Sequence, residues 1–146
     1  MSKSGHVQIR LAAMDFLARR DHASKELIQK LARRFENHEL IKDVVEQLQQ
    51  DGLQSDLAFA ESYIRSRAGR GYGSIRITLE LGQKGVSDED IVQAFINTDI
   101  DWQQVLEQQY QKKFSGQPPD DLKEKARYTR FFVYRGFDQE QIRRLW

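Results

Sequence analysis

The chain has 146 residues, 39% hydrophobic and 31% charged, which is typical of one folded domain with a substantial core. It contains no cysteine, which excludes disulfide bonds and thiolate metal sites, and it lacks the apolar run of a signal peptide or membrane span. We therefore expect a protein of the cytoplasm, and we also expect a monomer. The net charge of +1 arises from blocks of alternating sign, which carry +5, −6, +4, −6 and +4 over residues 1–34, 35–61, 62–85, 86–109 and 110–146.

Apolar residues recur at spacings of three and four along nearly the whole chain, a period that predicts helices and no strands. The segment before the first helix, residues 1–8, is expected to be a flexible N-terminus. We predict about nine short helices, at residues 9–20, 24–34, 38–50, 56–68, 74–84, 88–97, 101–114, 121–134 and 139–145.

The sequence pattern of one helix boundary occurs twice in the chain. KGVSDEDI at residues 84–91 and RGFDQEQI at 135–142 share one pattern at an offset of 51 residues. In each, a basic residue ends a helix, Gly85 or Gly136 supplies the left-handed turn, and a serine or aspartate caps the next helix. A less distinct copy lies near residue 35, so the chain contains a three-fold repeat.

These copies predict an all-α fold, an elongated and curved array of three tandem three-helix repeats at residues 9–51, 52–98 and 99–146. The basic blocks fall on the first two helices of each repeat, so the array is expected to carry one basic and one acidic edge. Asp121 and Glu124 have the spacing of a capping box at the start of the eighth helix.

The stretch RAGRGYGSIRI at residues 67–77 allows two interpretations. It lacks the Gly-Lys-Ser/Thr of a phosphate-binding P-loop and follows no strand, so nucleotide binding is not expected. In the first interpretation Gly71 and Gly73 only end one helix and turn the chain into the next, with Ser74 near its cap.

In the second interpretation the same loop is a recognition element. Its side chains suit either a phosphate backbone with a stackable base or an acidic groove on a protein, and the sequence leaves both open. The candidate residues are Arg65, Arg67, Arg70, Tyr72, Arg76 and Lys84.

A second basic group lies on the predicted eighth helix, where it would extend the basic edge. It comprises Lys123, Lys125, Arg127 and Arg130. His6, His22 and His38 match no metal-binding spacing, and no serine or cysteine nucleophile is paired with a base. We therefore expect no metal, no cofactor and no enzymatic activity.

Taken in order, these motifs resemble the RecX family of RecA recombinase regulators over nearly the whole chain. The residues that carry the resemblance are Arg20–His22, Glu26–Leu27 and Lys30–Leu31, then Gly52, Asp56, Phe59–Ala60, Arg67, Gly71–Gly73, Arg76–Ile77, Glu80–Leu81 and Lys84–Gly85, and finally Asp99–Trp102, Lys112–Phe114, Lys123–Arg127 and Arg135–Phe137. The resemblance implies a nine-helix array that lodges in the groove of RecA filaments on DNA. There it would suppress ATP hydrolysis, strand exchange and coprotease activity, and it would also bind single- and double-stranded DNA.

The chain departs from the family pattern at several positions, two of which affect local structure. Ala23 replaces a usual serine, so the second helix is expected to be less stable by about 0.5–2 kcal/mol unless Asp21 or Ser24 caps it. Ser74 replaces a proline that usually follows the Gly-Tyr-Gly, which should leave that loop less stiff.

Overall fold

The fold is all-helical, as the periodicity predicts. The computed structural model describes residues 3–146, and no strand occurs in that range. The helices are α1 (Lys3–Arg19), α2 (Ser24–Ala32), α3 (His38–Gln50), α4 (Asp56–Gly69), α5 (Ser74–Gln83), α6 (Asp88–Thr98), α7 (Trp102–Phe114), α8 (Leu122–Arg135) and α9 (Gln139–Arg143). Among the described residues, none of these helices is both long and apolar enough to cross a membrane.

The first helix begins earlier than predicted. It starts at Lys3 rather than near residue 9, so the described part of the expected flexible N-terminus is helical, and residues 1–2 lie outside the described range. Ile9, Ala12 and Ala13 are buried against α2 and α3, and this packing supports a helix that continues toward the N-terminus. Residues 3–8 contain a glycine and one strongly apolar side chain, Val7, so apolar spacing alone does not mark this start.

The three predicted repeats correspond to three clusters of buried side chains. Helices α1–α3 (unit 1) enclose the first, α4–α6 (unit 2) the second and α7–α9 (unit 3) an aromatic third. Ala23, which precedes α2, is buried in the second cluster, so units 1 and 2 share apolar packing. The residue limits given above for each repeat stay a prediction.

Side-chain caps mark several helix starts where the sequence predicts them. Asp138 and Gln141 form a reciprocal capping box at α9. At α8 Asp121 accepts a hydrogen bond from the amide of Glu124 at 2.8 Å, but the Glu124 carboxylate accepts from the amide of Asp120 instead. The predicted Asp121–Glu124 box is therefore only half formed, because the Glu124 carboxylate pairs with the amide of Asp120 rather than with that of Asp121.

Helix α2 is capped from another unit. Ala23 makes no side-chain cap, and neither Asp21 nor Ser24 supplies a side-chain cap in its place. Instead the carboxylate of Asp56, the first residue of α4, accepts hydrogen bonds from the Ser24 amide at 2.7 Å and from the Ser24 hydroxyl at 3.1 Å. The missing cap is thus replaced by a contact that also ties unit 1 to unit 2.

Candidate partner-binding surface

The glycine-rich loop connects α4 to α5. The amide of Gly71 donates to the carbonyl of Ala68 at 2.9 Å, and the amide of Tyr72 donates to that of Arg67 at 3.1 Å, which ends α4 in a tight turn. Gly71 has a φ of +89°, a conformation that favours glycine. Gly73, not Ser74, occupies the N-cap position of α5 and offers no side-chain cap.

Backbone carbonyls at the end of α8 accept hydrogen bonds from backbone amides at the start of α5. The carbonyl of Arg135 accepts a hydrogen bond from the Gly73 amide at 2.8 Å, and the carbonyl of Gly136 accepts one from the Ile75 amide at 3.0 Å. A helix leaves its first amides and its last carbonyls without internal partners, so the two ends complete each other. We call this contact the unit 2–unit 3 junction.

Glycine is required on both sides of this junction. A Cβ on Gly73 would collide with the carbonyl oxygen of Gly136, and a Cβ on Gly136 would lie 2.7 Å from the amide nitrogen of Arg76. The structure therefore supports the first interpretation of the loop, a helix connection. It adds that this connection is also a packing contact with unit 3.

The ring of Tyr72 is partly buried and lies among arginine side chains. Its ring packs partly buried against the second cluster, and three guanidinium groups surround it. The guanidinium carbons of Arg67, Arg76 and Arg135 lie 3.8, 4.5 and 4.7 Å from its centroid. Cations over a tyrosine ring are attracted to its negative face, so this arrangement holds the loop in place.

Glu80 neutralises part of this cluster. Its carboxylate accepts hydrogen bonds from Arg67 at 2.8 and 3.0 Å, from Arg76 at 3.1 Å and from the Tyr63 hydroxyl at 2.8 Å. The side chains of Arg67, Arg76 and Glu80 are 17%, 26% and 19% exposed, so these are sheltered contacts. Two of the predicted recognition arginines are therefore engaged inside the protein.

The contacts of Glu80 and Tyr63 explain the direction in which the pKa of each is shifted. Burial alone would raise the pKa of Glu80, but the hydrogen bonds from Arg67, Tyr63 and Arg76 outweigh burial and hold that pKa below its ordinary value. Burial, together with the hydrogen bond to Glu80, raises the pKa of Tyr63 to about 12. Glu80 is thus ionised at neutral pH and compensates one of the surrounding positive charges.

The other predicted cations near the loop are exposed. Arg70 and Lys84 face solvent, and neither has an acidic side chain within 4 Å among the described residues. Arg65 is also exposed, but it lies two positions from Arg67 on α4 and therefore on the other side of that helix. The structure does not bring Arg65 together with the rest.

Three of the four predicted cations on α8 form a row. Lys123, Arg127 and Arg130 are spaced by four and three residues, which places them on one exposed face, and we call them the α8 row. Arg127 also lies 3.7 Å from the Glu124 carboxylate. Lys125 is exposed on the opposite side, beside Gln139 and Trp146 near α9, so it does not belong to this row.

Two residues of this surface were not predicted as partner-binding. Arg135 was assigned only to the end of α8, yet it contacts Tyr72 and donates to the carbonyl of Arg70 at 3.3 Å. Tyr134 is 73% exposed, and the guanidinium carbon of Arg76 lies 5.0 Å from its ring centroid. In the sequence, the signal for Tyr134 was its spacing of four from Arg130, which places the two side chains on one face of the helix.

One of the three histidines, His22, packs inside the protein. His22 is buried, with Nδ1 at 3.0 Å from the carbonyl oxygen of Arg20 and Nε2 at 2.8 Å from Nζ of Lys30. Among the described residues no group of three or more metal-ligating side chains is assembled. Burial is the main cause that lowers the pKa of His22, and the nearby Arg20 and Lys30 charges act in the same direction.

Family models match the chain in three successive segments. The model described as RecX, first three-helix domain, matches residues 10–48, the second domain matches residues 55–94, and the third matches residues 99–146. The matches follow the order of units 1, 2 and 3.

Relatives and solved structures agree with these models. The regulatory protein RecX of Pseudomonas putida (strain GB-1) is 45% identical over 139 residues, covering 95% of this chain and 89% of the relative. That of Pseudomonas entomophila (strain L48) is also 45% identical, covering 95% and 90%. The crystal structure of RecX from Lactobacillus salivarius matches with a TM-score of 0.78 at 20% identity, over 99% of this chain and 96% of that one, which supports the fold.

Proposed function

The chain belongs to the RecX family, and from that premise we propose that it is a non-enzymatic modulator of the RecA recombinase. It binds RecA–DNA filaments and suppresses ATP hydrolysis, strand exchange and coprotease activity, acting as a cytoplasmic monomer. The observation that carries this proposal is the match of all three units, in order, to the three domains of the family. A regulatory role is the property that the relatives' name states.

The exposed cations support a contact with an acidic or phosphate-bearing surface. Arg70, Lys84 and the α8 row face solvent, whereas Arg67 and Arg76 are engaged by Glu80. Exposed cations raise the local concentration of a negatively charged partner, even though the net charge of the chain is only +1. We therefore assign partner binding to the exposed set and loop stability to the engaged set.

Inhibition requires that the protein favour one state of the filament. A protein that contacts neighbouring RecA subunits in one arrangement opposes the cycle of ATP hydrolysis only if it binds that arrangement more tightly than the others. The test is ATP hydrolysis by RecA filaments preformed on single-stranded DNA, titrated with this protein well below one molecule per RecA subunit. Inhibition that survives raised salt and excess competitor DNA supports direct filament binding.

A second candidate function is single-stranded DNA binding that acts by occupying the DNA. The exposed Tyr134 ring beside the α8 row favours it, because aromatic rings and cations together bind single strands. This function predicts inhibition only near saturation of the DNA, with a steep dependence on salt. Inhibition that disappears with salt or competitor DNA would replace the filament-binding proposal with this one.

A further inference from the structure

A groove with exposed apolar walls runs between α5 and the end of α8. Its outward side chains are Ile75 and Leu79 from α5 and Val133 and Tyr134 from α8. They are 55%, 64%, 45% and 73% exposed, respectively. Exposed apolar side chains are common singly, but a contiguous set on two helices is typical of a contact surface.

The core of unit 2 does not use these side chains. Ile77 and Leu81 form the buried face of α5, whereas Ile75 and Leu79 lie one turn apart on its outer face. The groove floor holds Arg76 and Glu80, which are hydrogen-bonded to each other at 3.1 Å. The groove is therefore an apolar surface over a satisfied polar base, with no packing role inside the fold.

Once the contacts of Glu80 are counted, the charges that remain around the groove are positive. Glu80 is the acidic residue of its lining, and its carboxylate is already occupied by Arg67, Arg76 and Tyr63. The α8 row continues along the same helix from the Val133 end, beginning with Arg130 three positions away. A complementary partner would therefore carry apolar side chains for the groove and carboxylates for the row.

We propose that this groove binds an amphipathic helical segment of a protein partner, with apolar side chains one turn apart and an acidic flank. Such a helix lays its apolar face into a groove and is recognised through i and i+4 anchors. Three of the four wall side chains, Ile75, Leu79 and Val133, are aliphatic and offer nothing to a phosphate backbone, which favours protein over DNA as the occupant. The inference rests on the proposed function in one respect: it assigns the segment to a RecA subunit of the filament.

A matched pair of double variants tests the groove. Ile75→Ser with Leu79→Ser removes its α5 wall, and Val92→Ser with Ile96→Ser removes an equally exposed pair, 61% and 64%, from α6. The first should weaken binding to RecA filaments on single-stranded DNA at least about ten-fold, and the second less than about two-fold. Both should keep the thermal unfolding midpoint of the unaltered protein, since neither pair is buried.

Cross-linking identifies the occupant directly. Because the sequence contains no cysteine, Leu79→Cys provides a single thiol that can carry a benzophenone, and Ile96→Cys provides the matched control. Irradiation with filaments should join position 79 to the RecA polypeptide, within a segment that has the stated pattern, and position 96 should react far less. Cross-linking of position 79 to DNA would overturn the proposal.

The remaining outcomes separate the groove from the function. If the unaltered protein neither binds filaments nor inhibits ATP hydrolysis, the proposed function fails. If it does both and the groove variant binds as tightly, only the groove proposal fails. Sedimentation that shows self-association, abolished by the groove variant, would assign the groove to a second copy of the chain and would also overturn the proposal.

Discussion

Asp56 caps a helix to which it does not belong: its carboxylate lies 2.7 Å from the amide nitrogen of Ser24, at the start of α2. We expect Asp56→Ala to lower the free energy of unfolding by about 0.5–2 kcal/mol, because the amide and the hydroxyl of Ser24 lose their acceptor. Asp88→Ala is the matched control, since Asp88 is the first residue of α6 but caps no other helix. Urea denaturation of both variants checks this, and equal losses would contradict the cross-unit cap.

The unit 2–unit 3 junction predicts opposite effects for two glycines that lie close together in the sequence. Gly73→Ala should destabilise the protein by about 1–3 kcal/mol, because the added methyl group collides with the carbonyl of Gly136. Gly82→Ala should stabilise it by about 0.5–1 kcal/mol, because Gly82 lies within α5 with no atom within 4 Å of a Cβ. Thermal unfolding measures both, and a neutral Gly73→Ala would show that the junction opens at little cost.

Glu80→Gln should cost about 1–3 kcal/mol of unfolding free energy at pH 7, because Arg67 and Arg76 lose their charged acceptor in a sheltered site. Glu107→Gln, at an exposed position on α7, should change it by less than about 0.5 kcal/mol. The pKa of Glu80 is depressed, so its contribution is present above pH 4.5 and is lost as the pH falls through its folded value. A Glu80→Gln variant whose acid unfolding matches that of the unaltered protein would refute this role.

His22 predicts a loss of stability in mild acid. Its folded pKa lies below the ordinary value of 6.5, so the unfolded chain binds a proton that the folded chain excludes. Its contribution is therefore complete above pH 6.5 and declines as the pH falls toward the folded pKa. Histidine proton shifts in an NMR titration report that value, and a His22 pKa at or above 6.5 would contradict burial as the dominant influence on this ring.

The α8 row predicts which cations of that helix matter to a partner. Lys123→Gln, Arg127→Gln and Arg130→Gln together should raise the concentration needed for half-inhibition of filament ATP hydrolysis by about ten-fold or more. Lys125→Gln should change it less than about two-fold, because this lysine lies on the opposite side of α8. Equal effects per charge removed would indicate attraction by total charge rather than by one face.

Much of the fold could be predicted because helix starts depend on neighbouring residues. Ser87 and Asp138 accept hydrogen bonds from amides three residues later, as their spacing from the glycine turns predicts. The start of α1 at Lys3 was not predicted, because residues 3–8 contain a glycine and only one strongly apolar side chain, Val7. Signals within a turn or two of each other are readable from sequence, and packing between helices is not.

The candidate surface was only partly predictable for the same reason. The cationic composition of residues 65–84 and 123–130 indicated a binding surface, but it could not separate engaged cations from exposed ones. The Glu80 contacts join residues 13 and 17 positions apart, and the junction joins residues more than 60 positions apart. Sequence spacing carries no information about such pairs, so the engagement of Arg67 and the enclosure of Tyr72 came only from the structure.

The unit 2–unit 3 junction also has a consequence for binding kinetics. Main-chain hydrogen bonds from Gly73 and Ile75 fix α5 against the end of α8, so both walls of the groove are preorganised before any partner arrives. Little conformational entropy is then lost in shaping the site, and more of the contact energy becomes affinity. Association should be limited by diffusion and orientation rather than by a folding step, and differences in affinity among groove variants should arise in their dissociation rates.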